Sequence, residues 1–227
     1  MRITFYGQNC WSIVTQGKTI LVDPGISANP LTVGKVNADS LAADYILLTH
    51  GHGDHVSDVE STAKRTGAKI VAGYEVASYY GNKGHAYHPM NHGGKWKFDF
   101  ATVAFVNAVH SSVLPDGTYG GNPGGFVIYN EEATIYIAGD TAVTLDMQLI
   151  PRLYPALDLA ILPIGDNFTM GYDEAIVAAE FIKCDRIIGC HYDSFPYIEI
   201  DHAAAKDAFS NAGKTLTLLE IGETLDI

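Results

Sequence analysis

Short apolar runs separated by polar turn residues dominate the start of the chain. Three runs, at residues 2–6, 11–15 and 19–22, are separated by segments that contain Gly7 and Gly17. Their lengths and the glycines between them are typical of strands joined by tight turns. The pattern therefore predicts an antiparallel meander.

The pattern then changes from strands alone to strands and helices. An apolar run at 45–49 is followed by a helix-like stretch at 57–67, which ends at a glycine, and by another apolar run at 69–72. This order predicts a β-α-β unit.

The rest of the chain repeats this order of elements without repeating the sequence. We predict strands at residues 95–100, 102–109, 125–129, 134–138, 157–163, 186–189 and 215–219, and helices at 172–182 and 201–212. Each half then supplies a sheet and helices, and an apolar sheet face must be buried against another layer. We expect an α/β protein with two sheets packed face to face and helices outside, a four-layer αββα sandwich.

Composition narrows the class of protein. The chain has 227 residues, of which 47% are hydrophobic and 18% charged, which predicts one domain over residues 1–227 with a large core. A formal net charge of −12 makes nucleic acid an unlikely partner. It does not exclude a small anionic substrate, because bound divalent cations would reverse the charge locally.

The number of cysteines and the length of the apolar segments bear on where in the cell the protein is expected. Cys10, Cys184 and Cys190 form no C-x-x-C pair and are odd in number, as expected for reduced thiols. We recognise neither a signal-peptide core nor a run long enough to span a membrane. We therefore expect a cytoplasmic protein without a membrane partner, and the sequence leaves a homo-oligomer open.

Five apolar runs end in polar turns, and most of these turns contain metal-binding residue types. The first leads into His50, His52, Asp54 and His55, and the others lead into His110, Asp140, Asp166 and His191. Ligands at several strand ends can converge at one edge of a sheet core. Between the first histidines, Gly51 and Gly53 are expected to permit a tight backbone path.

A metal centre explains this cluster better than core packing does. Each buried imidazole or carboxylate without a partner would cost roughly 1–3 kcal/mol, and a metal removes that cost. We assign His50, His52 and His110 to a first metal position, Asp54, His55 and His191 to a second, and Asp140 to a bridge between them. Nitrogen and oxygen ligands suit Zn²⁺ and tolerate Mn²⁺, Fe²⁺ or Co²⁺, so we expect two divalent ions, with zinc favoured.

The same residues resemble a known family. The motif from Thr49 to His55, the lone His110, Gly139-Asp140-Thr141 and the late His191 resemble the metallo-β-lactamase superfamily, over essentially the full chain. The branch that looks most similar is that of metal-dependent hydrolases related to ascorbate-6-phosphate lactonases. Two residues depart from that pattern: Gln8 stands where relatives often have histidine, and His92 stands where an aliphatic residue is usual.

The resemblance implies a dinuclear metal-dependent hydrolase that uses a metal-bridging hydroxide on a small-molecule ester, lactone or phosphodiester. Asp54 would orient the attacking water or accept its proton. The resemblance also favours hydrolysis over di-iron redox chemistry, because His52 stands where the redox members of the superfamily have glutamate. Two alternatives stay open: a nuclease-like phosphodiesterase of the same fold, and a non-catalytic metal-loaded binding or sensor protein.

Several residues allow two interpretations. Asp23 could support the ligands or simply form a turn before Pro24 and Gly25. Asp166 could hold a metal-binding imidazole or contact substrate, and Asp140 alone could cap a helix that begins near Thr141.

A histidine-rich segment is also ambiguous. His85, His88 and His92, with the tyrosines near them, could form a lid over the site or a solvated loop. Cys190 should point away from the metals, since consecutive side chains of a strand face opposite sides.

Overall fold

Two mixed sheets of seven strands each form the centre of the protein. The computed structural model describes residues 1–227. The strands of the first sheet are Arg2–Phe5 (β1), Trp11–Thr15 (β2), Lys18–Val22 (β3), Tyr45–Leu48 (β4), Lys69–Gly73 (β5), Tyr87–Met90 (β6) and Thr224–Asp226 (β14). In space their order is β14-β1-β2-β3-β4-β5-β6. The pairs from β14 to β3 are antiparallel, whereas those from β3 to β6 are parallel.

The second sheet has a related construction. Its strands are Lys95–Lys97 (β7), Thr102–Asn107 (β8), Gly124–Tyr129 (β9), Thr134–Ile137 (β10), Leu159–Pro163 (β11), Arg186–Cys190 (β12) and Thr215–Thr217 (β13). They are ordered β13-β12-β11-β10-β9-β8-β7. Antiparallel pairing from β7 to β10 gives way to parallel pairing from β10 to β13.

Six α-helices cover the outer faces of the sheets. They are Gly53–Val56 (α1), Val59–Thr66 (α2), Tyr74–Asn82 (α3), Ile150–Leu153 (α4), Tyr172–Ile182 (α5) and His202–Asn211 (α6). One apolar cluster, which contains Trp11, Phe105 and Phe126, lies between the sheets. A second cluster packs the second sheet against its helices, and a third packs the first sheet against its helices. The predicted four-layer αββα sandwich is confirmed.

Capping residues in the sequence correctly indicate where several helices begin or end. α5 has the predicted bounds, and α6 begins after Asp201, whose Oδ1 accepts hydrogen bonds from the amides of Ala203 and Ala204. α2 ends at Gly67, which adopts the left-handed conformation that favours glycine at a helix end. None of the helices has the length and apolar character needed to cross a bilayer.

Other sequence predictions were wrong or incomplete. The helix predicted at 57–67 corresponds to α2, and the short helix α1 before it was not predicted, whereas the strand predicted at 95–100 ends at Lys97. The segment from His85 to His92, expected to form a lid or a solvated loop, contains the edge strand β6 instead. The terminal strand β14 pairs with β1 and was not predicted, because its pairing joins the two ends of the chain.

The topology explains where the strand-end residues meet. β8 and β10 are both antiparallel to β9, and β10, β11 and β12 are parallel. The carboxyl ends of these four strands therefore lie at one edge of the second sheet. The segments that follow them face the segment after β4 of the first sheet.

Candidate metal centre

The structure brings seven sequence-predicted side chains to one cavity region, and each stands just beyond a strand. His50 and His52 follow β4, and Asp54 and His55 lie in α1. His110, Asp140 and His191 follow β8, β10 and β12, respectively. The cavity, about 420 Å³ in volume, is lined by His52, Asp54, His110, Ser111, Asp140, Phe168, His191 and Phe195.

The seven side chains divide into two groups of three with a carboxylate between them. The donor atoms of His50, His52 and His110 lie within 4.8 Å of one another, and so do those of Asp54, His55 and His191. These are the two sets assigned from the sequence.

Asp140 reaches both groups. Its Oδ2 lies 3.5 Å from His110 Nε2 and 2.9 Å from His191 Nε2, while its Oδ1 lies 3.3 Å from His55 Nε2. The alternative that Asp140 caps a helix near Thr141 is wrong, because the next helical turn begins at Leu145 and is capped by Thr144.

Unpaired buried atoms concentrate in this cluster. His50 Nε2, His55 Nε2, His191 Nδ1 and Asp140 Oδ1 are buried and form no hydrogen bond. Most buried polar atoms in proteins have a partner, so a group of unpaired ones requires an explanation. Nitrogen and oxygen donors that converge in this way fit divalent cations well.

Asp23 determines which nitrogen of His55 faces the cluster. A carboxylate only accepts hydrogen bonds, so the 2.9 Å contact between Asp23 Oδ2 and His55 Nδ1 places a hydrogen on Nδ1. In the neutral ring, Nε2 then presents a lone pair to the cluster, as a metal ligand must. The interpretation of Asp23 as a simple turn residue is therefore incomplete.

Asp23 acts on His50 through Thr49. The Thr49 hydroxyl donates to Asp23 Oδ2 over 2.6 Å, and its only hydrogen is thereby used. His50 Nδ1, 3.0 Å from the same hydroxyl, must then be the donor in that contact, which again leaves Nε2 bare. Asn9 Nδ2 and the Thr49 amide also donate to Asp23, which is 1% exposed.

In the metal-free protein, positive charge on the histidines of the second group, His55 and His191, balances the negative charge of the carboxylates. Burial acts to lower the pKa of His191, but Asp140 and Asp54 outweigh it and raise the pKa to about 9. The pKa of His55 is raised for the same reasons, whereas burial lowers that of His50. Without cations the two carboxylates thus hold protons on the second group, and cations would displace those protons.

Gln8 contacts the cluster, although it stands where relatives often have histidine and its role was therefore left open. Its Nε2 donates to Asp54 Oδ2 over 2.9 Å, and its Oε1 accepts a hydrogen bond from the Ser194 hydroxyl. Its carbonyl accepts from the His191 amide. Gln8 therefore links the first meander to two of the seven residues. No sequence pattern indicated this role, since it depends on the left-handed backbone of Gly7 and Gln8.

Two groups of candidate residues lie elsewhere. The Asp166 carboxylate accepts from the Asn167 amide over 2.6 Å within a turn and is not part of the cavity lining. Among the predicted lid residues, His88 packs against Trp96 and Phe98, and His92 stacks on Phe105. None of these lines the cavity. Cys190 packs in the core between the sheets, as expected.

Comparisons with known proteins show which proteins the chain is similar to. Residues 18–192 match the model of a beta-lactamase superfamily domain. A metal-dependent hydrolase of Christiangramia forsetii is 58% identical and one of Flavobacterium johnsoniae 59% identical, each over the whole of both chains. The solved structure of a metallo hydrolase from the archaeon Ignicoccus hospitalis is similar, with 32% identity and a TM-score of 0.89, over 99% of this chain and 97% of that one.

Proposed function

The chain belongs to the metallo-β-lactamase superfamily and is a metal-dependent hydrolase, and from this premise we propose a dinuclear enzyme that hydrolyses a small-molecule ester, lactone or phosphodiester. Zinc is the favoured ion. The closer relation to ascorbate-6-phosphate lactonases stays a prediction.

One observation carries the proposal. Two groups of three nitrogen or oxygen donors adjoin a single carboxylate, and three buried atoms among them, His50 Nε2, His55 Nε2 and Asp140 Oδ1, are unpaired. We assign His50, His52 and His110 to one ion, Asp54, His55 and His191 to the other, and Asp140 to both. A structural zinc site is closed, whereas this cluster opens onto a cavity that water and substrate can enter, which suits catalysis.

The ions and the protein divide the chemistry between them. When bound, two divalent cations make water more acidic and stabilise negative charge that develops on a carbonyl or phosphoryl oxygen. The protein positions the reactants at the cavity floor. Ser111, whose hydroxyl lies 3.2 Å from His52 Nε2, also lines the cavity and can donate a hydrogen bond to a substrate oxygen.

Asp54 serves to orient water. Burial would raise its pKa, but His55 and His191 hold the pKa of this carboxyl well below its usual range. In the metal-free protein this carboxyl is therefore ionised and can accept hydrogen bonds. Gln8 fixes one of its oxygens, and Asp54 then accepts a hydrogen bond from the attacking water.

The direct test measures metal and hydrolysis together. We expect purified protein to contain two divalent ions per chain by elemental analysis and to hydrolyse simple lactones or bis(p-nitrophenyl) phosphate. A chelator should reduce activity to background, and added Zn²⁺ or Mn²⁺ should restore it. One ion per chain would contradict the dinuclear assignment. Two ions without activity on a broad substrate panel would favour a binding or sensor protein.

A second prediction concerns Asp23, which contacts the ligands from behind. Asp23→Asn keeps the side-chain shape but replaces one accepting oxygen with a donor, so His55 and Thr49 lose part of their orientation. We expect metal affinity to fall about 10- to 100-fold, as measured by competition with a chromogenic chelator.

Asp44→Asn is the matched control for Asp23→Asn. Asp44 is also a turn carboxylate and accepts from the Thr19 amide, but it contacts none of the seven residues. Its substitution should leave metal affinity unchanged. Equal affinity in the Asp23 variant would show that the hydrogen bonds of Asp23 do not tune the site.

A further inference from the structure

The cavity beside the proposed metal centre has an apolar side. Five of its eight lining residues belong to the metal cluster, and the other three are Ser111, Phe168 and Phe195. The Phe168 ring lies 6.0 Å from the Phe195 ring and 6.3 Å from the Tyr197 ring. Phe168 is 50% exposed and Tyr197 75% exposed. The three rings form an aromatic wall at the cavity mouth.

Folding alone does not account for the position of Phe168. The loop before it contains two consecutive non-glycine residues in the left-handed region, Asp166 and Asn167. Each costs roughly 1–2 kcal/mol relative to ordinary backbone. Such strain persists where neighbouring contacts hold it, and here Met170 binds Asp166 and Thr141 through backbone hydrogen bonds. The strained, anchored loop presents a large apolar ring to the cavity.

The second cavity-lining phenylalanine, Phe195, lies in a loop that hydrogen bonds hold in place. Its neighbour Ser194 is buried and donates to Gln8. Asp193 closes the same loop by binding the Ile198 carbonyl and the Ile200 amide. Phe195 itself stands edge-on to His191, with ring centres 6.4 Å apart. The apolar wall thus directly adjoins the reacting region.

The cavity provides no fixed positive charge beyond the metal positions. None of the 14 lysines and arginines of the chain lines it. Lys35 and Lys206 line a separate cavity on the other side of Gln8. A carboxylate or phosphate on the part of a substrate that does not react would therefore be desolvated against aromatic rings without a partner.

We infer that the substrate carries an uncharged apolar group, alkyl or aryl, next to the bond that is cleaved, and that Phe168 and Phe195 bind this group. The inference rests on the proposed function, and it narrows the substrate class to neutral apolar esters or lactones. Apolar burial against these walls provides the selectivity.

Hydroxamates test the wall separately from catalysis, because their head group binds metal while their tail is free to vary. Zinc-loaded protein is titrated calorimetrically with acetohydroxamate, hexanohydroxamate and the monohydroxamate of adipic acid, which has a charged tail of matched length. We expect the pentyl tail of hexanohydroxamate to tighten binding roughly tenfold or more over acetohydroxamate. The charged tail should give no gain.

Variants locate the effect. Phe168→Ala and Phe195→Ala should each remove most of the gain from the pentyl tail and leave acetohydroxamate binding unchanged. Tyr74→Ala removes an exposed aromatic residue that does not line the cavity and should keep the full gain. Equal binding of all three tails, or tighter binding of the charged tail, would overturn the inference.

Hydrolysis assays on the same samples separate the two proposals. Cleavage of p-nitrophenyl hexanoate in preference to p-nitrophenyl acetate supports both. Cleavage of both esters without preference, together with equal hydroxamate affinities, leaves the hydrolase proposal standing and rejects the apolar wall. Tail-dependent hydroxamate binding without cleavage of any ester, lactone or phosphodiester supports the wall and rejects the hydrolase proposal.

Discussion

Asp140→Ala should lose both divalent ions and reduce kcat/KM at least about 10³-fold, because this carboxylate lies between the two groups of ligands and contacts members of both. Its two oxygens contact His55, His110 and His191 within 3.5 Å. Removing it takes one ligand from each position and also the negative charge that separates two cations. Elemental analysis and steady-state kinetics measure the two losses.

The Asp140 variant should still fold. Without this carboxylate the raised pKa values of His55 and His191 return toward the ordinary histidine value, and the rings become neutral near pH 7 instead of remaining as buried charges. Circular dichroism should therefore match that of the parent protein.

Two further variants bracket this result. His110→Ala should weaken mainly the first position, so about one ion per chain should remain. Asp146→Ala removes a carboxylate that binds Asn107 and does not line the cavity, and it should change neither metal content nor rate. Two ions retained by the Asp140 variant would contradict its assignment as the bridge.

The residues that the sequence located well are those fixed by short-range rules. His50, His52, Asp54 and His55 occupy one short segment, so their proximity follows from spacing alone. His110, Asp140 and His191 follow apolar strands, and strands of like direction end at the same edge of a sheet. The first rule depends on spacing along the chain and the second on strand direction. Neither depends on loop conformation.

Contacts between distant loops could not be predicted in this way. Gln8 meets Asp54 across 46 positions through a turn with two left-handed residues. Phe168 reaches the cavity mouth because Asp166 and Asn167 are two consecutive residues in the left-handed region, which non-glycine residues seldom occupy in succession. In both cases strained backbone, supported by tertiary contacts, determines the position of a side chain, and no local pattern encodes it.

The glycines near the motif show the same limit. Gly53 was expected to relieve backbone strain, and this was wrong: its φ is not positive, and a Cβ there would meet nothing within 4 Å. Gly25, which the sequence marked only as a turn residue, lies directly against the backbone of Asp54. A Cβ at Gly25 would stand 1.5 Å from the Asp54 carbonyl oxygen. Tertiary approach, rather than local conformation, requires glycine here.

Gly25→Ala should consequently have a large effect on both stability and metal content. The overlap is with backbone, which cannot rotate away, so either the turn after β3 or the start of α1 must move. We expect the free energy of unfolding to fall by roughly 3 kcal/mol, at the upper end for overpacked sites. Asp54 and His55 shift with that backbone, so metal affinity should also fall.

Gly53→Ala is the matched control, because it makes the same chemical change two positions from His55 in open space. Alanine favours helix over glycine by about 1 kcal/mol in a helix interior, so at the start of α1 this variant should be as stable as the parent or slightly more so. Urea unfolding of the apoproteins measures the stabilities, and chelator competition measures metal affinity. If Gly25→Ala proved as stable as Gly53→Ala and bound metal equally well, the close packing of the Asp23 turn against Asp54 could not be what holds the second metal position in place.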